Sequence, residues 1–233
     1  MLSQSELNSA LNYAVRKGSI DIVRTLQQCG ARLTYLTFQD AIERGNVALF
    51  ATFMDYGWNI DSTEFEYPAV ANTVSHPDLL RWLLEKGANP NTRSTRALGS
   101  CGPKITPLSC AALEPETLGL EILLEYGASM DNEALFHAID RHMSGTIAHL
   151  KILLDHGADI NHWTRRWGAP LHFAVRCNTE DKLKYLLDRG ADPTIRDLVG
   201  RTPAEVALAD GKHNLYEILR RLPDAKGICG VVT

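Results

Sequence analysis

No stretch of the 233 residues approaches the roughly 18 consecutive apolar residues that a membrane-crossing helix needs. The start, Met1 to Ala14, lacks a basic segment followed by an apolar run, so no secretory leader is expected either. Cysteine is scarce and badly placed for cross-linking. Cys29, Cys101, Cys110, Cys177 and Cys229 are odd in number, widely spaced and never arranged as CxxC, which speaks against a disulfide framework and against a zinc site. They read as thiols of a reducing compartment, and the expected location is cytoplasmic or nuclear. The end, Cys229-Gly-Val-Val-Thr233, sets its cysteine one residue too far from the terminus for a prenylation box.

An excess of positive charge is also missing. With a net charge of −4 and 22% charged residues, no whole-chain basic field exists to hold nucleic acid non-specifically, and a nucleic-acid partner is not expected. Glycine-rich phosphate loops, a nucleophile elbow and metal-ligand spacings are absent, so neither a cofactor nor a metal is expected. What is present is 45% hydrophobic content, enough for a packed core.

That content is periodic. The dipeptide Gly-Ala recurs at Gly30-Ala31, Gly87-Ala88, Gly127-Ala128, Gly157-Ala158 and Gly190-Ala191, with Gly57-Trp58 as a variant. Counting back 21 residues from each glycine, or 24 in the fifth case, starts units at Ser9, Leu36, Glu66, Thr106, Glu133 and Ala169, and a seventh begins at Thr202. The sixth position of every unit is alanine: Ala14, Ala41, Ala71, Ala111, Ala138, Ala174 and Ala207. A small side chain is required where two helices approach closely. Allowing three extra residues in the fifth unit, the eighteenth position is Leu26, Phe53, Leu83, Leu123, Leu153, Leu186 and Leu219, and the residues three earlier run Val23, Phe50, Leu80, Leu120, Leu150, Leu183 and Tyr216, the buried stripe of a second helix. Thr106-Pro107 and Thr202-Pro203 set a threonine cap before a proline at the first helical position. The six closing glycines suit left-handed residues at the end of the second helix.

Thr106-Pro107-Leu108-Ser109-Cys110-Ala111-Ala112 and Pro170-Leu171-His172-Phe173-Ala174 resemble the Thr-Pro-Leu-His-x-Ala signature of ankyrin repeats, and Leu153-Leu154-Asp155-His156-Gly157-Ala158-Asp159-Ile160-Asn161 is similar to that family's unit ending. The resemblance runs from about Ser9 to Leu222. It implies an all-α solenoid of stacked helix-turn-helix units, in which first helices line a concave face and connections project as short β-hairpin or loop fingers. Residues 1–222 are expected to form a single domain and 223–233 a tail. The same resemblance assigns His172 to a position where the imidazole ties neighbouring turns together, and gives His76 and His156 family positions as well.

Units starting at residues 9, 36, 66, 106, 133, 169 and 202 are separated by 27, 30, 40, 27, 36 and 33 residues, against a family period of about 33. The short intervals leave no room for a full finger between units one and two or four and five. The long one extends a finger from Asn89 to Ile105 that carries Arg93, Arg96 and Lys104. The finger between units five and six reads His162-Trp163-Thr164-Arg165-Arg166-Trp167, and tryptophan and arginine are the residues most often dominant in binding. Asp140, Arg141 and Arg176 are expected beneath it, beside His137 and Phe173.

Those residues are the candidate partner-binding site: Arg93, Arg96, His137, Asp140, Arg141, His162, Trp163, Arg165, Arg166, Trp167, Phe173 and Arg176. The leading reading is an interaction scaffold or adaptor that takes a protein partner with acidic and apolar surface, without membrane or nucleic acid. The alternative is a small ligand, or catalysis, in a pocket under the 161–168 finger. In it His137 and Asp140, three apart on one helix, act as acid and base, and Cys110 or Cys177 supplies a thiolate. No catalytic residue is assigned. A chain built only of such repeats is expected to bind rather than to catalyse.

Overall fold

The structure, a computed structural model, describes residues 2–95, 105–140 and 145–221. Arg96, Cys101, Lys104, Arg141, His142, Cys229 and the expected tail 223–233 lie outside the described residues. The chain divides into two compact units, Met1–Ala111 with Glu116–Ser129, and Ala112–Pro115 with Met130–Thr233.

The first unit holds α1 (Gln4–Lys17), α2 (Ile20–Gln28), α3 (Tyr35–Arg44), α4 (Val47–Asp55), α5 (Ala69–Asn72), α6 (Pro77–Glu85), α7 (Pro107–Ala111) and α8 (Leu118–Glu125). The second holds α9 (Glu133–Ile139), α10 (Ile147–Asp155), α11 (Pro170–Cys177), α12 (Glu180–Asp188), α13 (Pro203–Ala209) and α14 (His213–Leu219). Consecutive helices pair through short turns. First helices pack on first helices, α1 on α3, α5 on α7 and α11 on both α9 and α13, while second helices stack as α2 on α4, α4 on α6, α6 on α8 and α10 on α12. Among the described residues the fingers are loops, with one isolated antiparallel bridge between Thr164 and Gly168. The architecture is the expected solenoid of helical repeats.

The seven alanines at the sixth position are each 5% exposed or less. A side chain ending at Cβ lets the next first helix come close enough to exclude water. Ala138 shows how tight this is: a Cβ on Gly145 would lie 2.6 Å from the Ala138 Cα. Replacing Ala138, itself fully buried, with leucine is expected to overpack the site and cost about 1–3 kcal/mol. Urea denaturation checks it, and an unchanged midpoint would mean that the site has slack.

The caps form as expected. The Thr202 hydroxyl accepts from the Glu205 N–H while the Glu205 carboxylate accepts from the Thr202 N–H at 2.7 Å, and the Thr106 hydroxyl accepts from the Ser109 N–H. All six closing glycines have φ between 82° and 91°. At the first helix the structure departs from the register. Helix α1 starts at Gln4 rather than near Ser9, because Ser3 and Glu6 form their own capping box. Two stripe positions also differ. Leu26 is only half-buried, and in the last repeat Leu215 rather than Tyr216 is fully buried, since α14 turns its apolar face through Leu215 and Leu219, four residues apart.

A ladder of side-chain acceptors joins neighbouring repeats inside each unit. The Asn89 N–H donates to the Asp61 carboxylate and the Ser129 N–H to the Asn91 carbonyl; in the second unit the Asp159 N–H donates to Asn132 and the Asp192 N–H to Asn161. Asn89, Asp159 and Asp192 also accept from the N–H two residues on, the turn that Asx side chains favour. Each loop is thus shaped locally and then tied to the next.

Lysine closes the end of α9. Lys182 Nζ donates to the carbonyls of Gly145, Ile139 and Asp140 at 2.7, 3.2 and 3.4 Å, which satisfies acceptors left over at a helix C-terminus. Burial holds its pKa below the ordinary lysine value, against the opposing pull of the Cys177 and Asp140 side chains.

Candidate functional site

The finger between the fifth and sixth repeats is closed by reciprocal hydrogen bonds, Thr164 N–H to the Gly168 carbonyl at 3.0 Å and Gly168 N–H to the Thr164 carbonyl at 2.9 Å. The Trp167 N–H adds a bond to the Thr164 hydroxyl. So short a loop cannot fold its long side chains inside, and Arg165 and Arg166 are exposed at its tip.

The two tryptophans take different places. Trp167 turns back onto helix α11, its ring 4.7 Å from that of Phe173, and the Arg166 guanidinium lies over the Trp167 ring at 4.3 Å from the centroid. Trp163 reaches the other way. Its indole N–H donates to the Arg196 carbonyl at 3.0 Å in the next finger, and the ring stays 42% exposed.

That next finger is built on Asp197, whose side chain is 3% exposed. One carboxylate oxygen accepts from the N–H groups of Val199 and Arg201, and the other from the guanidinium groups of Arg201 and Arg176. His172 supports the same loop. Its Nδ1 accepts from the Ala169 N–H, so Nε2 carries the proton and donates to the Arg201 carbonyl at 2.9 Å. Burial keeps its pKa below the usual histidine value and the ring neutral. The finger held in this way presents Leu198 and Val199, 60% and 75% exposed, two and three residues after the Arg196 carbonyl that Trp163 holds.

Beneath the first finger lies a cleft of about 670 Å³, in which Trp167, Phe173, Arg176, Asp140 and Cys177 meet Lys212 and Asn214. Phe173 is its floor, 6% exposed and packed edge-on against Phe136 with centroids 5.5 Å apart. Four sequence candidates are therefore brought together here: Asp140, Trp167, Phe173 and Arg176. His162 buttresses the finger base, its ring 6.4 Å from that of Phe136 and its Nδ1 3.4 Å from the Asn132 amide nitrogen. Arg93 is exposed in the other compact unit, in a loop whose base is pinned by bonds from Thr95 to the Glu66 carbonyl and from Ser94 to the Ile105 carbonyl. Arg96 and Arg141 lie outside the described residues.

One expectation needs correcting. His137 and Asp140 do not share a helical face, because α9 ends at Ile139 and Asp140 is its C-cap with ψ 128°. Burial lowers the His137 pKa, opposed by Asp131 and Asp140, so its imidazole is neutral near pH 7. Cys110 and Cys177 fall in different compact units.

Sequence reasoning missed Lys212, Asn214 and the Asp197 finger. Lys212 donates to the Arg176 carbonyl at 3.1 Å and forms an ion pair with Asp210. The repeat register carried far enough into the seventh unit would have found the turn after α13, where Gly211 has φ 69°. Among the described residues no three His, Cys, Asp or Glu side chains are grouped so as to hold a metal ion, and no helix is long and apolar enough to cross a membrane.

The family model described as ankyrin repeats (3 copies) matches residues 69–163 and 108–197, together more than half of the chain. The chain belongs to the ankyrin-repeat family. The Neurogenic locus Notch protein of Drosophila melanogaster is 32% identical to this ankyrin-repeat chain over 126 residues, 54% of this chain and 4% of that protein. Ankyrin repeat and SOCS box protein 11 of Danio rerio is 34% identical over 107 residues, 43% of this chain and 35% of that protein. The chain thus spans a minor part of the length of these relatives. Among solved structures the ankyrin repeat domain of Bcl-3, described as a unique member of the IkappaB protein family, aligns with a TM-score of 0.61 at 22% identity, covering 91% of this chain and 85% of that one. At that identity the likeness concerns the fold. Ankyrin repeats generally mediate protein–protein interaction, and the fold is typically non-enzymatic.

Proposed function

We propose that this ankyrin-repeat chain is an interaction adaptor that grips an acidic, partly apolar protein surface with the fingers and cleft of its second compact unit. The observation that carries this reading is the pair of successive fingers locked by the Trp163–Arg196 hydrogen bond, on which Trp163, Leu198 and Val199 are exposed apolar groups and Arg165 and Arg166 exposed cations. Rigid aromatic and apolar groups with adjacent guanidinium groups give buried area and oriented donors at little entropic cost. His137, His162 and Arg176 act mainly by holding this surface, Arg176 through its ion pair with Asp197 at 3.1 Å. Asp140, Trp167 and Phe173 line the cleft that receives a partner side chain. Arg93 and Arg96 are proposed as further contacts from the long finger, and Arg141 as one at the end of α9. A cytoplasmic or nuclear setting belongs to the same reading.

The test compares capture of partners from source lysate by the wild-type chain and by Arg165→Glu/Arg166→Glu and Trp163→Ala variants. Capture is expected to fall at least tenfold, to weaken with added salt in the wild type, and to survive the distant control Arg24→Glu. Equal capture by all of them, with unchanged melting curves, sinks the assignment.

A small ligand in the same cleft is the second reading, favoured by the mixed lining of Asp140, Arg176 and Lys212 around an aromatic floor. Native mass spectrometry separates the two. A bound metabolite lost in Phe173→Ala supports the ligand, and a bare mass supports the adaptor.

A further inference from the structure

A different cleft in the first compact unit carries an inference independent of the adaptor reading. Where five units close with Gly-Ala, the second closes with Gly57-Trp58. The backbone is the same as elsewhere, with the Trp58 N–H donating to the Phe53 carbonyl as the Ala88 N–H does to that of Leu83. The side chain is far larger. It finds room because the link between α2 and α3, residues 29–34, is too short to raise a finger, and its ring packs at 5.6 Å from Phe38 and 5.7 Å from Phe50.

The aromatic fit leaves a polar imbalance. Trp58 Nε1 and Gln27 Oε1 are buried, and neither has a hydrogen-bond partner among the described residues. Both residues line one cleft of about 410 Å³, walled by Leu33 and Phe53. A buried donor or acceptor left unmade is costly, and protein interiors rarely hold two together without something that serves both. The rim carries one charge of each sign, Arg32 and Glu64, so it favours neither an anion nor a cation.

We propose that this cleft is a binding site for a neutral secondary amide, whose carbonyl accepts from Trp58 Nε1–H and whose N–H donates to Gln27 Oε1. The tryptophan can only donate, which fixes the ligand's acceptor; the glutamine oxygen then requires a donor beside it. A secondary amide supplies both in one planar group that also suits apolar walls. Two sources share this chemistry, a cyclic lactam with its N–H and C=O on one edge and a peptide main chain with them on opposite edges.

The experiment follows the Trp58 indole N–H resonance, assigned among the four tryptophans by its loss in Trp58→Phe. The full chain is titrated with 2-pyrrolidinone, with N-acetylglycine methylamide and with N-methyl-2-pyrrolidinone, which lacks the N–H. A saturable downfield shift with either of the first two supports the site and tells lactam from peptide. Binding should be about tenfold weaker for the N-methyl compound and in Gln27→Leu, the ratio expected for one lost hydrogen bond. Gln27 is only half-buried at a helix end, so that variant keeps the test independent of Trp58 packing. No shift with either amide, as when water alone serves both groups, overturns the proposal. Equal shifts with the N-methyl compound overturn it too.

Discussion

Asp197→Ala is expected to lower the unfolding free energy by about 2–4 kcal/mol and to loosen the finger on which Trp163 rests. One substitution removes the acceptor of two backbone N–H groups and of two guanidinium groups. Losing one partner of a buried pair costs about 3–5 kcal/mol in general. Here the arginine side chains are 34% and 36% exposed and recover water, which moves the expected cost about 1 kcal/mol below that span. The carboxylate is covered by its own loop rather than sunk in the core, so the effect should be local first. Hydrogen exchange at Val199 and Arg201 is expected to rise by more than exchange in α12. Uniform loss of protection, or none, would contradict that order.

The same carboxylate predicts an acid response. Burial alone would raise the pKa of Asp197, but the Arg201 N–H and guanidinium and the Val199 N–H outweigh it and hold the pKa below the ordinary value. A carboxyl held low in the folded state contributes stability that is complete above its unfolded pKa of about 4 and is lost as pH falls through the lower folded value. The stability difference between wild type and Asp197→Asn should therefore be constant from neutral pH down to about pH 5 and shrink below about pH 4. Urea denaturation across that range reads it directly.

Gly119→Ala is expected to destabilise the first compact unit by about 2–3 kcal/mol, although alanine in place of glycine adds about 1 kcal/mol to an exposed helix. Gly119 is buried near the start of α8, and a Cβ there would overlap the Val74 carbonyl oxygen and lie 3.1 Å from the Val74 carbonyl carbon. The obstacle is backbone, which cannot rotate aside as a side chain could. Helix α8 must move away, opening its packing against α6 around the fully buried Leu120 and Leu123. Denaturant midpoints of Gly119→Ala and of the exposed-helix control Asp21→Ala make the comparison. A stabilised Gly119→Ala variant would mean that Val74 yields.

The repeat was legible because its physical demand recurs. A small residue between first helices and a leucine stripe on second helices must appear once per unit, and seven alanines in register reveal both. His172 was legible for the same reason, its bonds to Ala169 and Arg201 being the tie implied by the signature. The candidate site was legible only in part. Trp167, Phe173 and Arg176 do gather in one cleft, but nothing local says that Trp167 turns down while Trp163 bridges to Arg196, since that depends on the loop closed between Thr164 and Gly168. The helical spacing of His137 and Asp140 misled, because α9 stops one residue before Asp140, whose ψ of 128° is not helical, and Lys182 holds the carbonyls exposed there.

By itself the sequence determined the family, the alanine seams, the Thr106 and Thr202 caps and the exclusion of a strong basic field. These are short-range or periodic requirements, each readable from composition and spacing. Tertiary structure alone decided that Arg176 is spent on Asp197, that Asn and Asp side chains lace successive loops together, and that Trp58 Nε1 and Gln27 Oε1 are buried at one cleft with no hydrogen-bond partner among the described residues. Those outcomes depend on residues dozens of positions apart arriving within hydrogen-bond range, which is set by how one repeat packs on the next.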